Sequence, residues 1–145
     1  MAERTVFQSM SHRHVVRVGP DASVYEAACA MAGVNCGSVL VMTPPDTLLG
    51  IVTERDLLNR VLARAVDPAR TAVREVMTPK PACVPPGMPV SEAVVIMLER
   101  GFRHLPVLDG TRVLGVFTAR DALPRELGTA MGMAEFNEQV NDALG

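Results

Sequence analysis

The sequence predicts a mixed α/β fold built from two copies of one small unit, and three observations predict it. The first is an internal repeat. Gly50-Ile51-Val52-Thr53-Glu54-Arg55-Asp56-Leu57-Leu58 returns as Gly115-Val116-Phe117-Thr118-Ala119-Arg120-Asp121-Ala122-Leu123. Pro20-Asp21-Ala22-Ser23-Val24-Tyr25-Glu26-Ala27 returns as Pro86-Gly87-Met88-Pro89-Val90-Ser91-Glu92-Ala93, Met10-Ser11 as Met77-Thr78, and Val39-Leu40-Val41 as Leu105-Pro106-Val107. The blocks keep their order at an offset of about 65 residues, the mark of a duplicated unit. The second is a pair of short apolar runs in each copy, separated by turn residues. The third is an apolar helical segment in each copy, followed by a glycine.

Each copy has the same layout. A short extended piece (15–18; 82–84) leads through a Pro-containing turn to a helix (24–32; 90–100), stopped by Gly33 or Gly101. A hairpin follows. In the first copy it joins 38–42 to 48–52 through Pro44-Pro45-Asp46. In the second it joins 105–108 to 113–117 through Asp109-Gly110, a strong hairpin turn. A second helix opens at Thr53 or Thr118. Both hairpins are apolar on both faces, so both faces should be covered. Ala93-Val94-Val95-Ile96-Met97-Leu98 is apolar nearly all round, which predicts a helix buried on more than one side. One small unit cannot supply that cover, so the copies should pack together and a partner subunit is expected.

Composition narrows the function. Of 145 residues, 48% are hydrophobic, enough for a real core. There is no Trp, one Tyr (Tyr25) and four Phe, a poor basis for stacking single-stranded nucleic acid. The net charge of −2, without a basic tract, gives no general attraction to nucleic acid or anionic membrane. No apolar run is long enough to span a bilayer and the N-terminus shows no signal-peptide core, so a cytoplasmic protein is expected. Cys29, Cys36 and Cys83 form no CxxC pair and are expected as small buried hydrophobes. Met31, Met42, Met77 and Met97 are expected to fill the core.

The repeated block Gly-apolar-apolar-Thr-x-Arg-Asp ends a buried strand and opens a helix. Free backbone N–H groups and the helix dipole make such a junction hospitable to anions. The Gly would let a ligand approach the backbone. The Thr hydroxyl can donate to a phosphate oxygen, and the Arg offers a planar fork of donors. The Asp can accept from two neighbouring ribose hydroxyls, as a carboxylate does in dinucleotide folds. The same Thr-x-x-Asp is also a capping box, Thr53 capping a helix over 56–64, and the two roles are compatible.

These residues carry a family resemblance. The two blocks Gly50–Asp56 and Gly115–Asp121, with Val76-Met77-Thr78-Pro79 and Arg103-His104-Leu105-Pro106-Val107, resemble a tandem pair of cystathionine-β-synthase (CBS) domains, a Bateman module, over about residues 7–123. The resemblance implies two β-α-β-β-α motifs packed with pseudo-two-fold symmetry. On this reading motif 1 spans 7–66, a linker 67–75, motif 2 76–126 and a C-terminal helical tail 127–145, its helix at about 134–143. It also implies two equivalent clefts for an adenosyl ligand: AMP, ADP or ATP, or else NAD(H) or S-adenosylmethionine. Asp56 and Asp121 would hold ribose. Thr53 and Thr118, with Arg55 and Arg120, would face phosphate. Adenine would lie near Ser38 and Val39 in the first cleft and near His104, Leu105 and Pro106 in the second. Thr78 and Pro79 would line the second cleft, and Ser11 with His12 the first. The second copy carries Arg103-His104 where the first has Gly37-Ser38, so the second cleft is expected to favour more phosphate.

No other chemistry is in view. His12 and His14 offer a metal two ligands without an evident third. No nucleophile–base–acid set is visible, and no enzyme or catalytic cofactor is expected. The leading expectation is a stand-alone sensor of an adenine nucleotide, acting as a homodimer on a separate downstream protein. The alternative is a dimerisation scaffold with empty clefts.

Overall fold

The computed structural model describes residues 3–11 and 14–123. His12 and the expected tail at 127–145 lie outside the described residues. One helical turn, α1 (Val6–Ser9), is closed by a capping box between Thr5 and Gln8. The first half then runs β1 (Arg17–Val18), α2 (Val24–Gly33), β2 (Ser38–Thr43), β3 (Thr47–Thr53) and α3 (Glu54–Leu57), which continues into a π-helical stretch, Leu58–Leu62. A 3₁₀ turn, Val73–Glu75, precedes β4 (Thr78–Pro79). The second half adds α4 (Val90–Arg100), β5 (His104–Asp109), β6 (Arg112–Thr118) and a 3₁₀ turn, Ala119–Ala122.

One sheet has the order β1-β2-β3-β4, with β1 parallel to β2 and the other pairs antiparallel. The second is the β5-β6 hairpin. Beside it Val84 bridges Val107 in parallel, the counterpart of β1 beside β2. The period-2 alternation of strand side chains explains how β2 is buried throughout. Val39 and Val41 pack with Ala27 and Met31 of α2. Leu40 and Met42 face the other way and meet Ile51 of β3 and Val113 of β6, with Leu108 and Val116 alongside. This last cluster joins the two sheets, so the copies do pack together. In the second half Leu105, Val107 and the fully buried Phe117 pack against Ala93 and Met97 of α4. Each full burial of a side chain of this size stabilises the fold by about 1.5–3 kcal/mol.

The ends of the copies cross. Val6 and Met10 belong to the core of the second half, beside Val84 and Phe117. Val6 N–H donates to Met88 O and Phe7 N–H to Pro86 O. Conversely Val73, inside the stretch expected as a linker, is fully buried in the core of the first half, and its N–H donates to Ala22 O.

Three expectations need correction. Gly33 is the last residue of α2 and does not stop it. Asn35 takes the left-handed conformation (φ 53°), which asparagine tolerates better than most residues, whereas Gly101 (φ 71°) ends α4 as expected. The α4 helix is covered on one side only. Val90, Ala93 and Met97 are buried, but Val95 and Leu98 are 48% and 78% exposed, because the core of this chain reaches only one face. The cysteines are not buried hydrophobes. Cys29 and Cys83 are exposed and Cys36 is half-buried. Cys29 lies near Tyr25, itself exposed, on the outer side of α2, and Cys83 Sγ donates to Pro81 O.

Candidate functional site

Both repeated blocks fold into the same junction. At the end of β3, Thr53 Oγ1 accepts from Asp56 N–H at 3.2 Å, and Asp56 Oδ2 accepts from Thr53 N–H at 2.9 Å. At the end of β6, Thr118 Oγ1 accepts from Asp121 N–H at 3.3 Å, and Asp121 Oδ2 accepts from Thr118 N–H at 3.0 Å. The capping box therefore forms in both copies. It buries each carboxylate, to 9% exposure for Asp56 and 7% for Asp121, and fixes its direction. One oxygen of each Asp is engaged in the cap, which leaves Oδ1 as the acceptor for anything in the cleft beside it.

Those clefts exist. The one at Asp56 has a volume of about 420 Å³, within the range of small-molecule sites. Thr53, Arg55 and Asp56 line it, with Asn59 and Arg60 of the following turn, Thr78, Ala82, Phe102, Arg103 and His104. Arg60 Nε stands 3.7 Å from Asp56 Oδ1, and its Nη1 donates to Val76 O. The cleft at Asp121 measures about 630 Å³ and is lined by Ser11, His14, Cys36, Ser38, Arg103, His104, Thr118, Arg120 and Asp121. Here Asp121 Oδ1 is already engaged: Ser11 N–H donates to it at 3.1 Å, and the Ser11 hydroxyl donates to the same oxygen.

The structure brings Ser11 together with Ser38 and Thr78 together with His104, and adds to each group the junction carboxylate of the opposite copy. Each cleft is built across the copies. Asp56 of the first faces Thr78, Arg103 and His104 of the second, while Asp121 of the second faces Ser11 and Ser38 of the first. The physical reason is the crossing of the ends: β4 pairs with β3, which carries Thr78 to the Asp56 junction. Four expected residues line neither cleft. The side chains of Val39, Leu105 and Pro106 are fully buried inside the fold, and Pro79 pairs with Gly50 at the exposed edge of the sheet. Gly50 does not make room for a ligand either. A Cβ there would stand 2.5 Å from Met77 Sδ and 2.8 Å from Thr78 O, so the glycine is required by the approach of β4.

Several lining residues were not singled out from the sequence. Phe102, Ala82 and Gly101 occupy the repeat positions of Cys36, Val16 and Asn35, which line the other cleft. Carrying the repeat offset through the whole alignment, not just the motif, would have found them. Arg60 had no such signal.

Glu54, Arg103 and His104 line both clefts and form the wall between them. His104 Nε2 lies 3.1 Å from where a Cβ on Gly37 would stand, with the Glu54 carboxyl carbon 3.6 Å from the same point. Burial, and after it the neighbouring Arg103 guanidinium, holds the imidazole below the usual histidine range, against an opposing pull from Asp56 and Asp121. At neutral pH it is therefore uncharged and can accept as well as donate a hydrogen bond.

The comparisons with known proteins agree with this architecture. The sequence matches the family described as CBS domain over residues 7–63 and 73–127. It is 32% identical over 118 residues to "Uncharacterized protein MK0525" of Methanopyrus kandleri, covering 81% of this chain and 60% of that one. The chain thus spans less than two thirds of the curated relatives it first matches. The CBS-domain containing protein ATU1752 from Agrobacterium tumefaciens superposes with a TM-score of 0.75 at 31% identity, over 81% of this chain and 90% of that one. The CBS domain protein PAE2072 from Pyrobaculum aerophilum, solved in complex with AMP, superposes at 0.77 over 90% of this chain and all of that one; at 22% identity the likeness is one of fold. With two family matches, a duplicated Thr-x-Arg-Asp junction and two clefts built across the repeat, the chain belongs to the CBS-domain family, as a tandem pair.

Proposed function

We propose that this chain is a regulatory module that binds an adenine nucleotide of the AMP, ADP or ATP class in the two clefts and signals through altered packing. Tandem CBS domains as a class are regulatory modules for adenosine ligands, and the Pyrobaculum protein of the same fold was solved with AMP. The observation that carries the reading is the duplicated junction. Each buried carboxylate is fixed by its cap through Oδ2, which leaves Oδ1 for a ribose at Asp56 and, in place of Ser11, at Asp121, in clefts that each hold a threonine and an arginine. A ribose diol gives the carboxylate two hydroxyl donors, and the arginines match phosphate. NAD(H) and S-adenosylmethionine share the adenosine moiety and are the alternatives within this reading.

Ligand binding would shift a population of packings by no more than its differential affinity for them. The bare face of α4, with Val95 and Leu98, supports a homodimer as the assembly that such packing changes act on. It equally favours the second reading, a dimerisation scaffold whose clefts stay empty. A thermal-shift panel with AMP, ADP, ATP, NAD, NADH, S-adenosylmethionine and GTP separates the two. At about a hundred times its dissociation constant, a true ligand adds roughly 2.7 kcal/mol. With an unfolding entropy of roughly 0.3 kcal/mol/K for a chain of 145 residues, melting rises by about 9 °C. A stable dimer whose melting no adenine compound raises is the scaffold.

A further inference from the structure

The clefts share a wall but not two sets of cations. Arg55 serves one cleft and Arg120 the other, whereas Arg103 and His104 face both. The repeat does not replace them on the other side, since the positions matching Arg103 and His104 are Gly37 and Ser38. Among the described residues, the wall between the two candidate anion sites therefore carries a single guanidinium. A methyl group on Gly37 would stand 3.1 Å from the imidazole, so the Gly37 side of the wall offers little room for a further side chain.

Resting on the nucleotide-binding reading above, we propose that the two clefts are negatively coupled through Arg103 and His104, so that an anionic nucleotide in one weakens binding in the other about five- to tenfold. The first phosphate orients the shared guanidinium and neutralises its charge. The second meets a wall whose cation is already engaged and an anion on its far side. Pairwise couplings between sites are typically 5- to 150-fold. The effect here lies at the low end, since both clefts open to solvent and salt screens the charges. His104 is the structural link. It opens β5 opposite Thr118, the capping residue of one junction, while lining the cleft of the other. Its imidazole lies within electrostatic reach of both Asp56 and Asp121, whose pull opposes that of burial and Arg103.

Calorimetric titrations with AMP, and again with ATP, test this. Asp56→Ala and Asp121→Ala each leave one cleft and report its intrinsic affinity. In the wild-type chain the second binding event is then expected about five- to tenfold weaker than the intrinsic affinity of that cleft. In Arg103→Gln the difference should shrink to within twofold. Adenosine, which has no phosphate, should fill the two clefts of the wild type independently, a control that needs no variant to fold. Two independent AMP events, a coupling of equal size with adenosine, or one that survives Arg103→Gln overturns the proposal and leaves nucleotide binding intact. A chain that takes a single AMP with Asp121→Ala unaffected also overturns it. Absence of binding by AMP, ATP and adenosine alike overturns both the coupling and the reading it rests on.

Discussion

Replacing Asp56 with Asn separates the two roles this side chain combines. Its Oδ2 closes the cap on Thr53 N–H at 2.9 Å, and its Oδ1 points toward the cleft near Arg60. Asn keeps a carbonyl oxygen for the cap, and the cap fixes which way the amide turns, so an NH₂ group replaces Oδ1. The ion pair with Arg60 is lost, but at 3.7 Å, with the arginine side chain 39% exposed, it is worth about 0–1 kcal/mol. Stability should therefore fall by less than about 1 kcal/mol, or about 3 °C in melting temperature. Binding should suffer far more. A hydrogen bond to a charged acceptor contributes about 1.5–3 kcal/mol, so affinity for AMP in this cleft should drop about 10- to 150-fold while the Asp121 cleft keeps its own. Calorimetry with AMP and a melting curve on the same preparation measure the two effects. An intact fold with the affinity of this cleft unchanged within twofold refutes the assignment of Asp56 to ribose.

Further outcomes follow from the same geometry. Ser11→Ala removes the hydroxyl that competes for Asp121 Oδ1, so AMP affinity in that cleft should rise, by about three- to tenfold for about 1 kcal/mol of competing hydrogen bond; a fall in affinity would show that Ser11 instead positions the carboxylate. Gly50→Ala drives a methyl group into Met77 Sδ and the Thr78 carbonyl, and should cost about 1–3 kcal/mol, read as a melting temperature lower by about 3–10 °C; unchanged melting would mean that β4 can shift freely. His104 has a folded-state pKa below its unfolded value, so the folded chain takes up fewer protons. The stability tied to His104 is then complete above about pH 6.5 and is lost as the pH falls below it. The fall in melting temperature from pH 7.5 to 5 should be smaller in His104→Asn. Burial and then Arg103 push the imidazole in the stated direction, whereas Asp56 and Asp121 oppose it, with Glu54 beside the same wall; equal slopes in the two proteins would contradict this reading of the wall.

Much of the fold was legible because its signals are local. The Asp109-Gly110 turn, the run Ser38-Val39-Leu40-Val41-Met42 and the Thr-x-x-Asp boxes each impose their structure within a few residues, and each appears where the sequence placed it. The repeat also disclosed the two-fold plan. What it could not disclose is which entry segment serves which junction. Val6 and Met10 are as apolar as Val73 and Val76, and nothing in their own neighbourhood says that the first pair belongs to the second core and the last pair to the first. The clefts inherit that ambiguity, since nothing in the repeat says that the Ser11 segment meets Asp121 and the Thr78 segment meets Asp56. Val95 and Leu98 show a related limit. An apolar stretch reports that a face is to be covered, without saying whether the cover lies in the same chain. Gly50 was legible as a close approach, but the approaching group is β4 and not a ligand.

In the proposed function Asp56 and Asp121 hold the ribose of an adenine nucleotide. A crystal structure of the chain grown with the adenine compound that most raises its melting temperature tests it most directly. The ribose hydroxyls are expected within about 2.5–3.0 Å of Asp56 Oδ1, the hydrogen-bond range for O–H to a carboxylate, with phosphate turned toward Arg55 and Arg103. A nucleotide seated away from both carboxylates, or only water in both clefts at saturating ligand, would overturn the assignment of Asp56 and Asp121 to ribose.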